Sequence, residues 1–214
     1  MKKQLVFCFL FSAFSAITVY AQDLKRLSFG VSMGVAAQRL NLKTYDNKPN
    51  LTVPTIQKHG TGFDLLVMAR YKFNNNLSLR IMPGFLFQNM ALLYKSPDES
   101  HLEKRDFLEA TLPIHIVYNW QMNTRFVPSF IAGANVGYNI NAGNVMNKMA
   151  INRTNFGVDV GLGSEIKFQK FICRPELIYT FGNSNLSVPS NIPYNAIIRS
   201  LTRDRVTFRL IFFG

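Results

Sequence analysis

The chain has 214 residues, 24 Lys and Arg against 12 Asp and Glu, and two cysteines. One of these, Cys8, falls in the N-terminal apolar run, so the remainder, with Cys173 alone, can form no internal disulfide, and no cysteine–histidine spacing suits zinc. The basic balance invites a nucleic-acid reading, but the cations are spread through the chain and never gather in one run or on one helix, which argues against it.

Residues 1–21 read as a cleaved secretory signal peptide. Lys2 and Lys3 give a charged start, Leu5 to Ile17 an apolar run, and Val19-Tyr20-Ala21 a small-residue cut site before Gln22. The run is short for a membrane-spanning helix, which needs about 20 apolar residues. Cys8 lies inside the leader and not at the cut, so a lipidated N-terminus is not indicated. Residues 22–214 then form one domain.

Eight strands follow in chain order, at 27–37, 60–73, 77–88, 107–119, 126–140, 154–168, 171–182 and 201–213. The connections 74–76, 120–125 and 169–170 are tight. Those at 38–59, 89–106, 141–153 and 183–200 are long and polar. Short turns on one rim and long loops on the other are the pattern of a bacterial outer-membrane barrel, and an even strand number returns both ends to the turn side.

Successive strand side chains face opposite sides. In 154–168 one face carries Phe156, Val158, Val160, Leu162, Ile166 and Phe168, and the other Asn155, Asp159, Glu165, Lys167 and three glycines. In 201–213, Val206, Phe208, Leu210 and Phe212 oppose Arg203, Arg205, Thr207 and Arg209. The strands at 60–73 and 107–119 alternate likewise. A soluble barrel would show the same alternation with the apolar face inside, but three features place that face outside. Aromatic pairs such as Phe63 and Phe73, Phe126 and Tyr138, Phe156 and Phe168, and Phe171 and Phe181 stand ten or twelve residues apart. On tilted strands that is roughly 25–30 Å along the barrel axis, close to the ~25 Å apolar band edged by aromatic girdles. The polar face is rich in small residues (Ser28, Gly30, Ser32, Gly34), as a narrow interior requires. The last strand ends on Phe208, Leu210, Phe212 and Phe213, similar to the C-terminal signal of outer-membrane assembly substrates.

The expected architecture is therefore all-β: an eight-stranded antiparallel up-and-down transmembrane barrel in the outer membrane. Its lumen should be packed, with Arg70, Arg80, Lys167, Arg174, Arg203, Arg205 and Arg209 facing Asp64, Glu109, Asp159, Glu165 and Glu176. Unpaired buried charge is costly, so these groups should form an ion-pair ladder. Eight strands barely enclose their own side chains, which disfavours an open pore.

Catalytic chemistry finds little support. His59 and His101 fall in expected outer loops, His101 near Asp98 and Glu99, and His115 lies mid-strand on the polar face. Glu109 and His115 share a face about 20 Å apart and form no dyad. No catalytic, cofactor-binding or metal-ligating residues are expected. The run 95–106 reads as a solvated charged loop. Lys95, Lys104, Arg105, Arg153 and Arg199 are candidates for contacting lipopolysaccharide phosphates at the rim.

Residues 107–140 carry a Phe-Leu-Glu strand, an Asn-x-Arg-x-x-Pro turn and a Gly-rich strand ending at Gly-Tyr, and residues 174–186 a Pro-Glu-Leu strand followed by a Gly and an Asn-containing loop opening. These segments resemble the PorT family of Bacteroidetes outer-membrane barrels. The resemblance implies a non-enzymatic component of the type IX secretion system, which exports proteases, adhesins and gliding-motility proteins, with other secretion proteins as partners. The alternative is a small OmpX/OmpA-like barrel with a structural or adhesion role. Either would contact outer-membrane lipid, lipopolysaccharide and the outer-membrane assembly machinery.

Overall fold

The computed structural model describes residues 26–44, 55–56, 59–95, 100–120, 126–141, 152–185 and 198–214. Within these strands, the side chains of 42–44, 55–56, 59, 90–95, 100–105 and 198–199 lie outside the described set. The expected leader, residues 1–21, also lies outside it.

The elements are β1 (Leu27–Thr44), β2 (Thr55–Ile56), β3 (His59–Lys72), β4 (Leu77–Ile81), β5 (Gly84–Lys95), β6 (Ser100–Asn119), β7 (Phe126–Asn139), β8 (Thr154–Lys167), β9 (Ile172–Gly182) and β10 (Ile198–Phe213). All pairings are antiparallel. β1 pairs with β3 on one side (Gly30↔Met68) and with β10 on the other (Gly30↔Phe213), which closes the sheet. Closure removes the free edges that would otherwise leave backbone groups unsatisfied in hydrocarbon.

The strand expected over 77–88 is divided in two. Its register runs unchanged across the gap, from Ala69↔Ile81 to Leu66↔Gly84 on the β3 side and from Ile81↔Ile114 to Gly84↔Thr111 on the β6 side. The break has a chemical cause. Pro83 and, on β6, Pro113 have no N–H to donate. Val67 N still donates to Pro83 O, and Met82 N to Pro113 O, both at 2.9 Å, but neither proline can return the bond. β4 and β5 thus act as one spanning strand. The two-residue β2 adds a short extension beside β5 (Thr55↔Leu93), leaving a closed eight-stranded barrel.

Two of the tight turns are visible in their hydrogen bonds. Asn74 Oδ1 accepts from the backbone N–H of Asn76 (2.9 Å) and Leu77 (2.7 Å), an Asx turn that folds β3 into β4. Phe168 N donates to Phe171 O at 2.9 Å around Gln169-Lys170.

The opposite rim departs from expectation. β1 runs on to Thr44, β5 to Lys95, and β6 begins at Ser100, so most of the segment 95–106 is strand and not loop. The ladder continues from Asn89↔Asp106 to Lys95↔Ser100. The mostly polar and charged residues 100–106 pair here with the mostly apolar residues 89–95, since ladder hydrogen bonds are made by the backbone whatever the side chain. His101 therefore sits in β6, paired with Tyr94, and His59 opens β3 opposite Arg39.

The apolar face is outside. Val31, Phe63, Val67, Phe130, Val160, Leu162 and Phe208 are all exposed on the barrel exterior, whereas Asp64, Arg70, Asp159, Arg205 and Arg209 are buried within it. Every member of the four aromatic pairs named above is also exposed. Only contact with lipid makes such a surface stable.

Candidate functional site

The lumen is filled by side chains that span it. The longest chain of contacts starts at Arg70 on β3, whose Nη1 lies 2.5 Å from Glu165 Oε1 on β8. The same oxygen takes Arg174 Nη1 from β9 at 2.9 Å, and Arg174 Nε lies 2.9 Å from Glu176 Oε1. Arg174 Nη2 donates to Asn119 Oδ1 at 2.8 Å. Glu176 is gripped at both oxygens by Arg80, which crosses the lumen from β4 and donates to Oε2 at 2.6 Å. Such a two-pronged pair is geometrically specific as well as strong.

Arg80 passes the chain on to His115. Its Nη2 stands 3.1 Å from His115 Nδ1, while His115 Nε2 stands 2.7 Å from Asp159 Oδ2. A guanidinium can only donate, so Nδ1 must accept; the ring is then neutral, with its proton on Nε2 aimed at Asp159. His115 is thereby bound into the ion-pair network between Arg80 and Asp159.

Two smaller clusters complete the set. Arg203 Nη2 donates to Glu109 Oε2 at 2.7 Å, while Gln88 donates to the same carboxylate and accepts from Arg203 Nη1, both at 3.0 Å. Arg209 Nε donates to Asp64 Oδ2 at 3.0 Å. Glycines make two of these pairings possible. Gly133 on β7 lies between His115 and Asp159, and a Cβ there would come within 2.8 Å of His115 Cδ2. Gly34 on β1 lies between Asp64 and Arg209 in the same way.

The ladder expected from sequence is therefore present, although Arg205, buried on β10, enters none of the ion pairs described, and one expected member lies elsewhere. Lys167, expected in the lumen, is exposed, because it is the last residue of β8 beside the turn. Sequence reasoning also missed the apolar part of the interior. Leu66, Met68, Met82, Ile211 and Phe213 form a buried cluster, joined by Ile172, and Val117, Ile131 and Ile178 form another. Arg70 caps the first cluster, its guanidinium carbon 4.3 Å from the centre of the Phe213 ring. The unbroken run Leu65-Leu66-Val67-Met68 was the signal, since a strand with one polar face does not put four apolar residues in succession.

Of the rim cations, Arg153 is exposed, its Nη1 3.4 Å from the hydroxyl of Tyr138 in the outer aromatic girdle. The side chains of Lys95, Lys104, Arg105, Arg199, His59 and His101, and all of Asp98 and Glu99, lie outside the described residues. Among the described residues no group of acidic, histidine or cysteine side chains is arranged to hold a metal.

The fold has known counterparts. The family model for the outer membrane protein beta-barrel domain matches residues 20–187. The chain belongs to this family. Its location is accordingly the outer membrane, as an integral barrel. Among solved structures, the outer membrane protein OprG from Pseudomonas aeruginosa superposes with a TM-score of 0.56 at 13% identity, covering 87% of this chain and 94% of that one. Neisserial surface protein A gives 0.49 at 13% identity, covering 86% and 95%. The attachment invasion locus protein Ail of Yersinia pestis gives 0.45 at 16% identity, covering 88% and 99%. At 13% identity the OprG match speaks for the fold alone. No curated protein matches the sequence.

Proposed function

We propose that this family member is a closed, non-enzymatic barrel with a structural or adhesive role in the outer membrane. The carrying observation is the side-chain network from Arg70 to Asp159, which ties β3, β4, β6, β8 and β9 together through the lumen. A barrel plugged by its own ion pairs works as a rigid anchor whose loop-side strand ends face the exterior. Such a protein is exported by a leader over 1–21 and inserted by the outer-membrane assembly machinery. It is bounded by lipopolysaccharide, whose phosphates rim cations such as Arg153 would meet. Deleting the gene should sensitise cells to detergents or reduce surface attachment while secretion proceeds normally.

A second reading makes the barrel a component of type IX secretion. It is favoured by the resemblance of 107–140 and 174–186 to the PorT family, whose motif glutamates here are Glu109 and Glu176. Both are buried lumen carboxylates paired with arginine. The resemblance thus falls on residues that build the interior, which supports shared architecture more directly than shared partners. The same deletion separates the readings: export cargo retained in the periplasm supports the secretion role, and normal export with a weakened envelope supports the structural one.

A further inference from the structure

β3, β5, β6 and β7 lie side by side, and their register sorts the outward side chains into rows. The row nearest the loop side is polar, with Thr61, Asn89 and Asp106. The next is apolar, with Phe63, Phe87 and Leu108. The row below it sets Ala110 between Phe85 and Tyr138, whose rings are both exposed. Neighbouring strands stand about 4.8 Å apart, so a lone methyl group between two rings leaves a slot in the outer wall. Asp106 is exposed and enters no ion pair among the described residues. Asn89 Oδ1 accepts from the N–H and the hydroxyl of Thr61, at 3.1 and 3.0 Å, which leaves the Asn89 amide NH₂ to donate.

Two grooves follow these rows. One, of about 750 Å³, runs over Ala110 and is walled by Leu65, Phe85, Leu112, Val136 and Tyr138. The other, of about 610 Å³, joins Phe63 and Phe87 to Asn89, Asp106 and Asn141. Leu108 in the second and Ala110 in the first are successive outward residues of β6, so one groove begins where the other ends. Among the described residues neither is lined by Lys or Arg. The lower groove faces the apolar band, so its occupant is hydrocarbon. The upper one offers a carboxylate without a counter-charge, which suits a cation that donates hydrogen bonds. A second copy of the barrel would bring a convex wall, which cannot enter a concave slot. We propose that this strip binds one phospholipid with a primary ammonium head, of the ethanolamine class. One acyl chain lies over Ala110 between Phe85 and Tyr138. The ammonium donates to Asp106, and the Asn89 amide donates to the phosphate. The site goes beyond the structural or adhesive reading and needs only the barrel's place in the membrane.

The test uses the full-length protein folded in vesicles of equal parts phosphatidylethanolamine, phosphatidylcholine and phosphatidylglycerol. The barrel is then extracted in mild detergent and weighed intact by native mass spectrometry. One phosphatidylethanolamine should stay on each barrel. Phosphatidylcholine, whose quaternary head has no N–H, and phosphatidylglycerol, whose head has no cation, should be lost. Asp106→Asn should lower the retention about tenfold, the loss of one charge-assisted hydrogen bond. Ala110→Phe fills the slot and should abolish it, whereas Val160→Phe, on the exterior of β8, should leave it intact. The choice the unaltered protein makes among the three lipids decides the matter even if a variant fails to fold. Equal retention of the three, no retained lipid, retention that survives Asp106→Asn or Ala110→Phe, or barrels released as lipid-free dimers would overturn the assignment.

Discussion

Arg209 on β10 and Asp64 on β3 are bonded across an intervening strand: Nε reaches Oδ2 at 3.0 Å, and what β1 places between them is Gly34. A Cβ at Gly34 would lie 2.7 Å from both Arg209 Cγ and Asp64 Oδ1. Gly34→Ala should therefore push the pair apart and destabilise the barrel by about 1–3 kcal/mol, the usual range for overpacking. Urea unfolding in lipid vesicles reads this directly. Gly62→Ala, where the nearest atom would be a backbone oxygen at 3.0 Å, should cost less.

The same pair tests how the interior is held. Arg209 and Asp64 are each 1% exposed, so Arg209→Met strands a buried carboxylate and should cost about 3–5 kcal/mol. Adding Asp64→Leu removes the stranded charge and should recover most of that loss. A double variant as unstable as the sum of the single changes would show that the two residues act independently.

Much of this interior could be read in the sequence, because period-two alternation in β8 and β10 separates Asp159, Glu165, Arg203, Arg205 and Arg209 from the apolar residues between them. Which acid meets which base could not. Arg80 and Glu176 are far apart in sequence and meet only because the barrel closes, and Arg174 is shared between two carboxylates of different strands. Strand ends were also out of reach, since β5 and β6 stay paired as far as Lys95↔Ser100 through a charged run that reads as loop, carrying His101 from an expected loop into a strand. The interruption at Pro83 left no mark in the face pattern, because Ile81 to Phe87 carries no polar side chain to tell one face from the other.

The filled lumen should not conduct. In planar bilayers the purified barrel should give no defined current steps. Replacing Arg80, Arg174 and Glu176 together by alanine, which clears three of the largest buried side chains, should produce small steps. Steady channels in the unaltered protein would contradict the plugged interior.

The exterior should respond to charge by depth. Leu162 on β8, 58% exposed and midway in sequence between Phe156 and Phe168, the residue just past the strand's end, faces the middle of the apolar band. Leu162→Arg should cost about 2–4 kcal/mol, and Phe168→Arg at the girdle about 0–1 kcal/mol. Folding titrations in vesicles would check both.

The most direct measurement is a spin-label scan along β8 in a Cys173→Ser background, comparing collisions with oxygen dissolved in lipid and with a nickel complex dissolved in water. Labels at 156, 158, 160 and 162 should be open to oxygen and closed to nickel, and labels at 157, 159 and 161 should be immobilised. Nickel access at 158, 160 and 162 would place water where hydrocarbon belongs, and the membrane-spanning barrel would be wrong.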